Sequence, residues 1–169
     1  MFLRSMLIIP SRSMLTIPSG DKWPKEYNYP FKADNFIKDW STLFPADFTL
    51  NASKQCIQSN SNYNVSQSHA RGYLKIHTPN FSVKFTFTGY TSSELSYDWG
   101  SVYVSTSSAN SENGTLVYKG SGSNSSPSSY SITLSANTDY YINFTYRKDG
   151  SGNSRDDRFY IYGLKFERA

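Results

Sequence analysis

From Phe48 onward, apolar and polar residues alternate in short runs. The clearest is Phe81 to Thr88, where Phe81, Val83, Phe85 and Phe87 alternate with Ser82, Lys84, Thr86 and Thr88. A period of two gives one buried and one solvated face, so this run predicts a strand. Runs at 71–77, 101–106, 115–119, 130–134, 140–147 and 158–166 predict further strands, and less regular ones at 48–50 and 55–58 bring the number to eight or nine. Turn-rich stretches such as 107–113 and 120–129 separate them without intervening helices, the pattern of an antiparallel sandwich. In the last run the inward phase set by Phe159 and Ile161 meets Gly163, after which Leu164 and Phe166 take the other parity. A bulge at Gly163 reconciles them. The runs at 140–147 and 158–166 flank the polar stretch KDGSGNSRDD and read as one long hairpin.

Before Phe48 the pattern differs. Phe36, Ile37, Trp40 and Leu43 recur at three- and four-residue spacing behind Asp34, which can cap a helix. A short helix over about 33–43 follows, ended by Pro45. Residues 4–11 and 12–19 form a tandem octapeptide repeat, RSMLIIPS then RSMLTIPS. Pro10 and Arg12 interrupt the apolar run, so it fits neither a signal peptide nor a membrane span. The expectation is an extended arm over 1–32 ahead of a β-sandwich domain over 33–169. Met6, Leu7, Ile8, Ile9, Met14, Leu15, Ile17 and Trp23 are its candidate docking residues; a leader without structure is the alternative.

Composition agrees with an all-β domain of ordinary size. Of 169 residues, 17% are aromatic and only 18% charged, and Ser, Thr, Asn and Gly supply turn residues. A formal charge of +4 is mildly basic, but the cations are scattered rather than gathered in one stretch, so the chain does not read as a nucleic-acid binder. Cys56 is the only cysteine, which excludes an intrachain disulfide and a cysteine-based zinc cluster.

No set of side chains has catalytic spacing. There is no Gly-x-Ser-x-Gly elbow and no phosphate-binding glycine loop, and His69 and His77 have no matched partners in sequence. The expectation is a protein that is not an enzyme and has no cofactor. Asp149, Ser151, Asn153 and Asp157 are spaced somewhat like a calcium loop, but Arg155, Ser154 and Tyr160 stand at ligand or glycine positions of that motif. A polar turn is the competing reading. The richest binding candidate is the stretch 90–106, where Tyr90, Tyr97, Trp99 and Tyr103 gather near Asp98. Such rings beside carboxylates make a platform for sugars, or else plug an end of the sandwich.

The succession Tyr97-Asp98-Trp99-Gly100 leading into a strand, then Tyr130 to Leu134, Tyr140 to Asp149 and Asp157 to Tyr162, resembles the jelly-roll sandwich modules of tailed-phage virion proteins and gut-bacterial surface proteins. The resemblance covers about the last hundred residues. It implies a display or carbohydrate-binding-like module without catalysis. Two functions follow as expectations: a virion structural subunit, oligomeric and anchored to other subunits through its arm, or a glycan-binding or adhesion module at a cell surface or in the extracellular space.

Overall fold

The computed structural model describes residues 47–60, 67–109, 111–122, 126–150 and 152–169, and the backbone alone of residues 14–15 and 26–30. The helix expected over 33–43 and most of the expected arm lie outside the described residues. Eleven strands are described: β1 (Met14–Leu15), β2 (Glu26–Pro30), β3 (Phe48–Asn51), β4 (Cys56–Ser59), β5 (His69–His77), β6 (Val83–Ser92), β7 (Trp99–Ser105), β8 (Thr115–Gly120), β9 (Ser128–Leu134), β10 (Asp139–Arg147) and β11 (Arg158–Arg168).

The strands form two sheets. One has the order β1-β5-β10-β7-β8 and the other β3-β4-β11-β6-β9, with β2 also on β11. All pairings are antiparallel except β1 with β5, which is parallel and places Met14 opposite Lys75. Between β5 and β11 the chain changes sheet repeatedly, so hydrogen-bonded neighbours are mostly distant in sequence. This is the antiparallel all-β sandwich that the alternation predicts, of the jelly-roll type that the resemblance implies.

Period-two patterning explains the core. Leu74 and Ile76 of β5, Ile142, Phe144 and Tyr146 of β10, and Val102 and Val104 of β7 project from one sheet. Val83, Phe85 and Phe87 of β6 and Phe159, Ile161, Leu164 and Phe166 of β11 project from the other. Phe87, Tyr118 and Phe159 form an aromatic centre, with ring centroids 5.2–5.7 Å apart. The β6–β11 register shifts between Ile161 and Gly163, the bulge required for Leu164 and Phe166 to face inward. Gly89 has no room for a side chain between β6 and β11, since a Cβ there would collide with the Tyr160 carbonyl and the Phe87 ring.

Two expectations are corrected. The strand expected from Phe81 begins at Val83, and Phe81 is a partly buried cover over the core with the Arg168 guanidinium 4.6 Å from its ring centre. The long hairpin does not exist: β10 pairs with β5 and β7, and β11 with β2, β4 and β6. Both strands bury apolar faces, and these bury each other when the strands lie in opposite sheets. Residues 148–157 are therefore a crossover between layers.

Candidate functional site

The crossover is fastened by a buried ion cluster. Lys148 Nζ lies 3.2 Å from Asp98 Oδ2 and 3.1 Å from Asp157 Oδ2, and donates to the Gly152 carbonyl at 2.5 Å. Asp98 also accepts the Asp149 backbone N–H at 2.9 Å. Burial opposes the Lys148 charge, but the two carboxylates outweigh it and hold the ammonium above the ordinary lysine range. Gly152 has φ +67, and a Cβ there would collide with the Glu94 carboxylate. The Ser93 hydroxyl donates to the Asp98 carbonyl and accepts the Gly122 N–H, so three connections meet at this end of the sandwich.

This cluster disposes of two residues proposed for ligands. Asp157, a member of the calcium-like set, is fully buried against Lys148, whose ammonium stands where a cation would be held. Asp149 gives its carbonyl to the Gln67 N–H, Asn153 is exposed, and Ser151 lies outside the described residues. No group of three or more His, Cys, Asp or Glu side chains able to hold a metal occurs among the described residues. Asp98, placed in the sugar platform by sequence, is fully buried in the same cluster.

The remaining platform residues divide between two surfaces. Tyr90 is buried on the outside of the six-stranded sheet, its ring 5.0 Å from that of Tyr160 and 5.8 Å from that of Tyr162, beside Cys56. Burial pushes the Cys56 thiol up to about 11, where it is a small apolar group rather than a nucleophile. Tyr97 is 56% exposed in the loop before β7. Trp99 and Tyr103 stand on the outer face of the five-stranded sheet, four residues apart on β7. Neither belongs to the buried core, so they do not plug the sandwich. Of the expected docking residues of the arm, Met14 and Leu15 are described in backbone as β1; Met6, Leu7, Ile8, Ile9, Ile17 and Trp23 lie outside the described residues.

Strand register shows what surrounds Trp99 and Tyr103. Arg147 of β10 has His69 of β5 on one side and Trp99 on the other. Along the sheet comes a row of Arg71, Thr145, Ser101 and Lys119, then one of Tyr73, Asn143 and Tyr103, then Lys75, Tyr141 and Ser105. Asn143, Thr145 and Ser101 are buried, with taller side chains flanking them in register. Asn143 Nδ2 donates to the Ser108 carbonyl, but its buried Oδ1 has no hydrogen-bond partner. Tyr73 and Tyr141 pack at 5.9 Å, and Lys119 Nζ lies 4.5 Å from the Trp99 ring centre.

Asp139 closes the far end of this face, bound by His77 Nδ1 at 2.7 Å and Lys75 Nζ at 3.4 Å. The His77 hydrogen bond, with Lys75 beside it, holds the Asp139 carboxyl below its usual range. At the near end Arg71 Nη2 donates to His69 Nδ1 at 3.0 Å. Burial and the charges of Arg71 and Arg147 lower the His69 pKa, against an opposing pull from Glu112.

The signal for Trp99 and Tyr103 was present in sequence. Tyr73, Tyr141 and Asn143 were missed, because only strand register brings β5 and β10 beside β7. A groove of about 400 Å³ between the sheet edges, bounded by Val104, Ile132, Leu134 and Tyr140, has no charged lining residue and includes none of the sequence candidates.

Fold and face together define an all-β sandwich with one aromatic, cation-rimmed sheet face. No protein-family model and no curated protein matches the sequence. Among solved structures the chain is similar to TmCBM61 in complex with beta-1,4-galactotriose, with 11% identity and a TM-score of 0.42 over 68% of this chain and 70% of that one. It is also similar to the Emp47p carbohydrate recognition domain, with 11% identity and a TM-score of 0.47 over 95% and 96% of the two chains. Likeness at this level does not extend to ligands.

Proposed function

We propose that the protein is a non-catalytic glycan-binding module that uses the outer face of its five-stranded sheet. One observation carries this reading: Tyr73, Tyr103 and Tyr141 flank Asn143, whose buried Oδ1 is an acceptor without a donor, and Trp99 extends the same face two rows further along. Sugar rings present C–H surfaces that lie against aromatic rings, and hydroxyls that satisfy such acceptors. A buried polar group left unpaired costs about 1–3 kcal/mol, which a hydroxyl donor would recover. The two similar structures, one a complex with a galactotriose and the other a carbohydrate recognition domain, carry no part of this argument.

A virion display subunit, the other function implied by the sequence resemblance, has no observation in its favour among the described residues. The platform is correspondingly Tyr73, Trp99, Tyr103 and Tyr141 rather than the contiguous 90–106 stretch. The test is retention of the full chain on a glycan array, compared with Trp99→Ala and Tyr103→Ala. Retention lost in both variants, with no stability loss beyond the small one expected of a ring outside the core, supports the proposal. Absence of any glycan retention by the parent chain, with assembly into large particles, favours the virion subunit.

A further inference from the structure

We propose that the His69–Trp99 end of this face is a subsite for an acidic glycan, one whose sugars carry carboxylate or sulfate groups. This rests on the glycan-binding reading above and adds the charge class of the ligand. Lys54, Lys75, Lys84, Lys148 and Lys165 each have a carboxylate partner within 3.4 Å. Arg71, Arg147 and Lys119 make no ion pair among the described residues, and all three are exposed on this one end of one sheet. Arg155, Arg158 and Arg168 make none either, but they lie before or on β11, where Arg158 donates to the Ser59 carbonyl and Arg168 lies over the Phe81 ring.

Their arrangement suits an oxyanion. Arg71 and Arg147 lie on adjacent strands, diagonal to each other across the Thr145 and His69 positions, and Lys119 lies on the far side of β7 against Trp99. Two guanidinium forks thus stand beside buried Thr145 and Ser101 and one aromatic ring. Guanidinium groups pair bidentately with carboxylate and sulfate-like oxyanions. No acidic residue lies on the strands at this end. Asp47 is at the sheet edge, where it accepts the Arg71 backbone N–H, and the one carboxylate that reaches this end from off the strands is exposed Glu112 of the β7–β8 connection, which acts on His69 against the two arginines. On this face the three unpaired cations are gathered at one end rather than spread along a track, which favours an acidic sugar over a nucleic-acid backbone.

Affinity electrophoresis of the full chain tests this in gels containing polygalacturonate, dextran sulfate or neutral dextran, with an oligo(dT) gel shift alongside. Retardation by polygalacturonate, dextran sulfate or both is expected, weakening at about 0.5 M salt. Which of the two retards the chain distinguishes carboxylate from sulfate. The Arg71→Ala/Arg147→Ala variant should bind at least tenfold more weakly at the parent's melting temperature, whereas Lys84→Ala/Lys165→Ala on the opposite sheet should bind like the parent. Equal weakening of both variants would overturn the subsite, as would tighter binding to oligo(dT). Binding of neutral glycans alone on an array would overturn the charge class and leave the glycan-binding reading standing; binding of no glycan would overturn both.

Discussion

Lys148 Nζ lies 3.2 Å from Asp98 Oδ2, and both side chains are shut off from solvent. Each is next in sequence to a residue of the outer face: Asp98 precedes Trp99, and Lys148 follows Arg147. The buried ion pair therefore fixes the backbone from which that end of the face projects. Asp157 completes the cluster from the start of β11, so the same contact joins the two sheets.

Replacing Lys148 with Met leaves two buried carboxylates facing each other without a cation. Breaking a buried pair in this way costs about 3–5 kcal/mol. Urea unfolding of Lys148→Met should show that loss. An unchanged midpoint would mean that the carboxylates find water or one another's proton at little cost, and that the cluster does not hold the crossover.

Alkaline pH should weaken the fold. Burial raises the Tyr160 hydroxyl to about 12 and the Cys56 thiol to about 11, and Tyr118, Tyr146 and Tyr162 are also raised. Between about pH 9 and pH 12 the unfolded chain releases protons that the folded chain keeps, so stability falls as pH rises and is unaffected by these groups below that window. Urea midpoints at pH 8 and pH 10.5 should differ, with the lower at pH 10.5. A thiol reagent at pH 8 should label Cys56 only in denaturant; rapid native labelling would contradict its burial.

Trp99 is half-buried and its main partner is the Lys119 ammonium, a contact worth about 0.5–1 kcal/mol at an exposed site. Trp99→Ala should therefore lower stability by about 1 kcal/mol while abolishing glycan retention. A loss as large as the 3–5 kcal/mol typical of a core Trp would contradict its placement outside the core.

Much of the fold was legible because strand patterning is local. The alternation Phe81, Val83, Phe85, Phe87 located β6, and the parity change around Gly163 located the bulge. Whether residues 148–157 close a hairpin or cross between sheets was not legible, since ten polar residues can do either. The choice is made by Ile142 and Phe144 packing against Phe159 and Ile161 across the core. The site was half legible for the same reason. Trp99 and Tyr103 share a face by their spacing on one strand, whereas Tyr73 and Tyr141 join them only through the β5–β10–β7 register. Asp98 was misplaced because its partner Lys148 lies fifty positions away, and a carboxylate read from sequence alone carries no sign of burial.

The most direct test of a glycan-binding sheet face is a backbone and side-chain NMR titration with a retained glycan. The account predicts shift changes centred on Tyr73, Trp99, Tyr103, Tyr141 and the Asn143 amide, with the opposite sheet around Tyr90 and Tyr160 unmoved. Shifts confined to that opposite sheet, or to the groove beside Ile132 and Leu134, would contradict it.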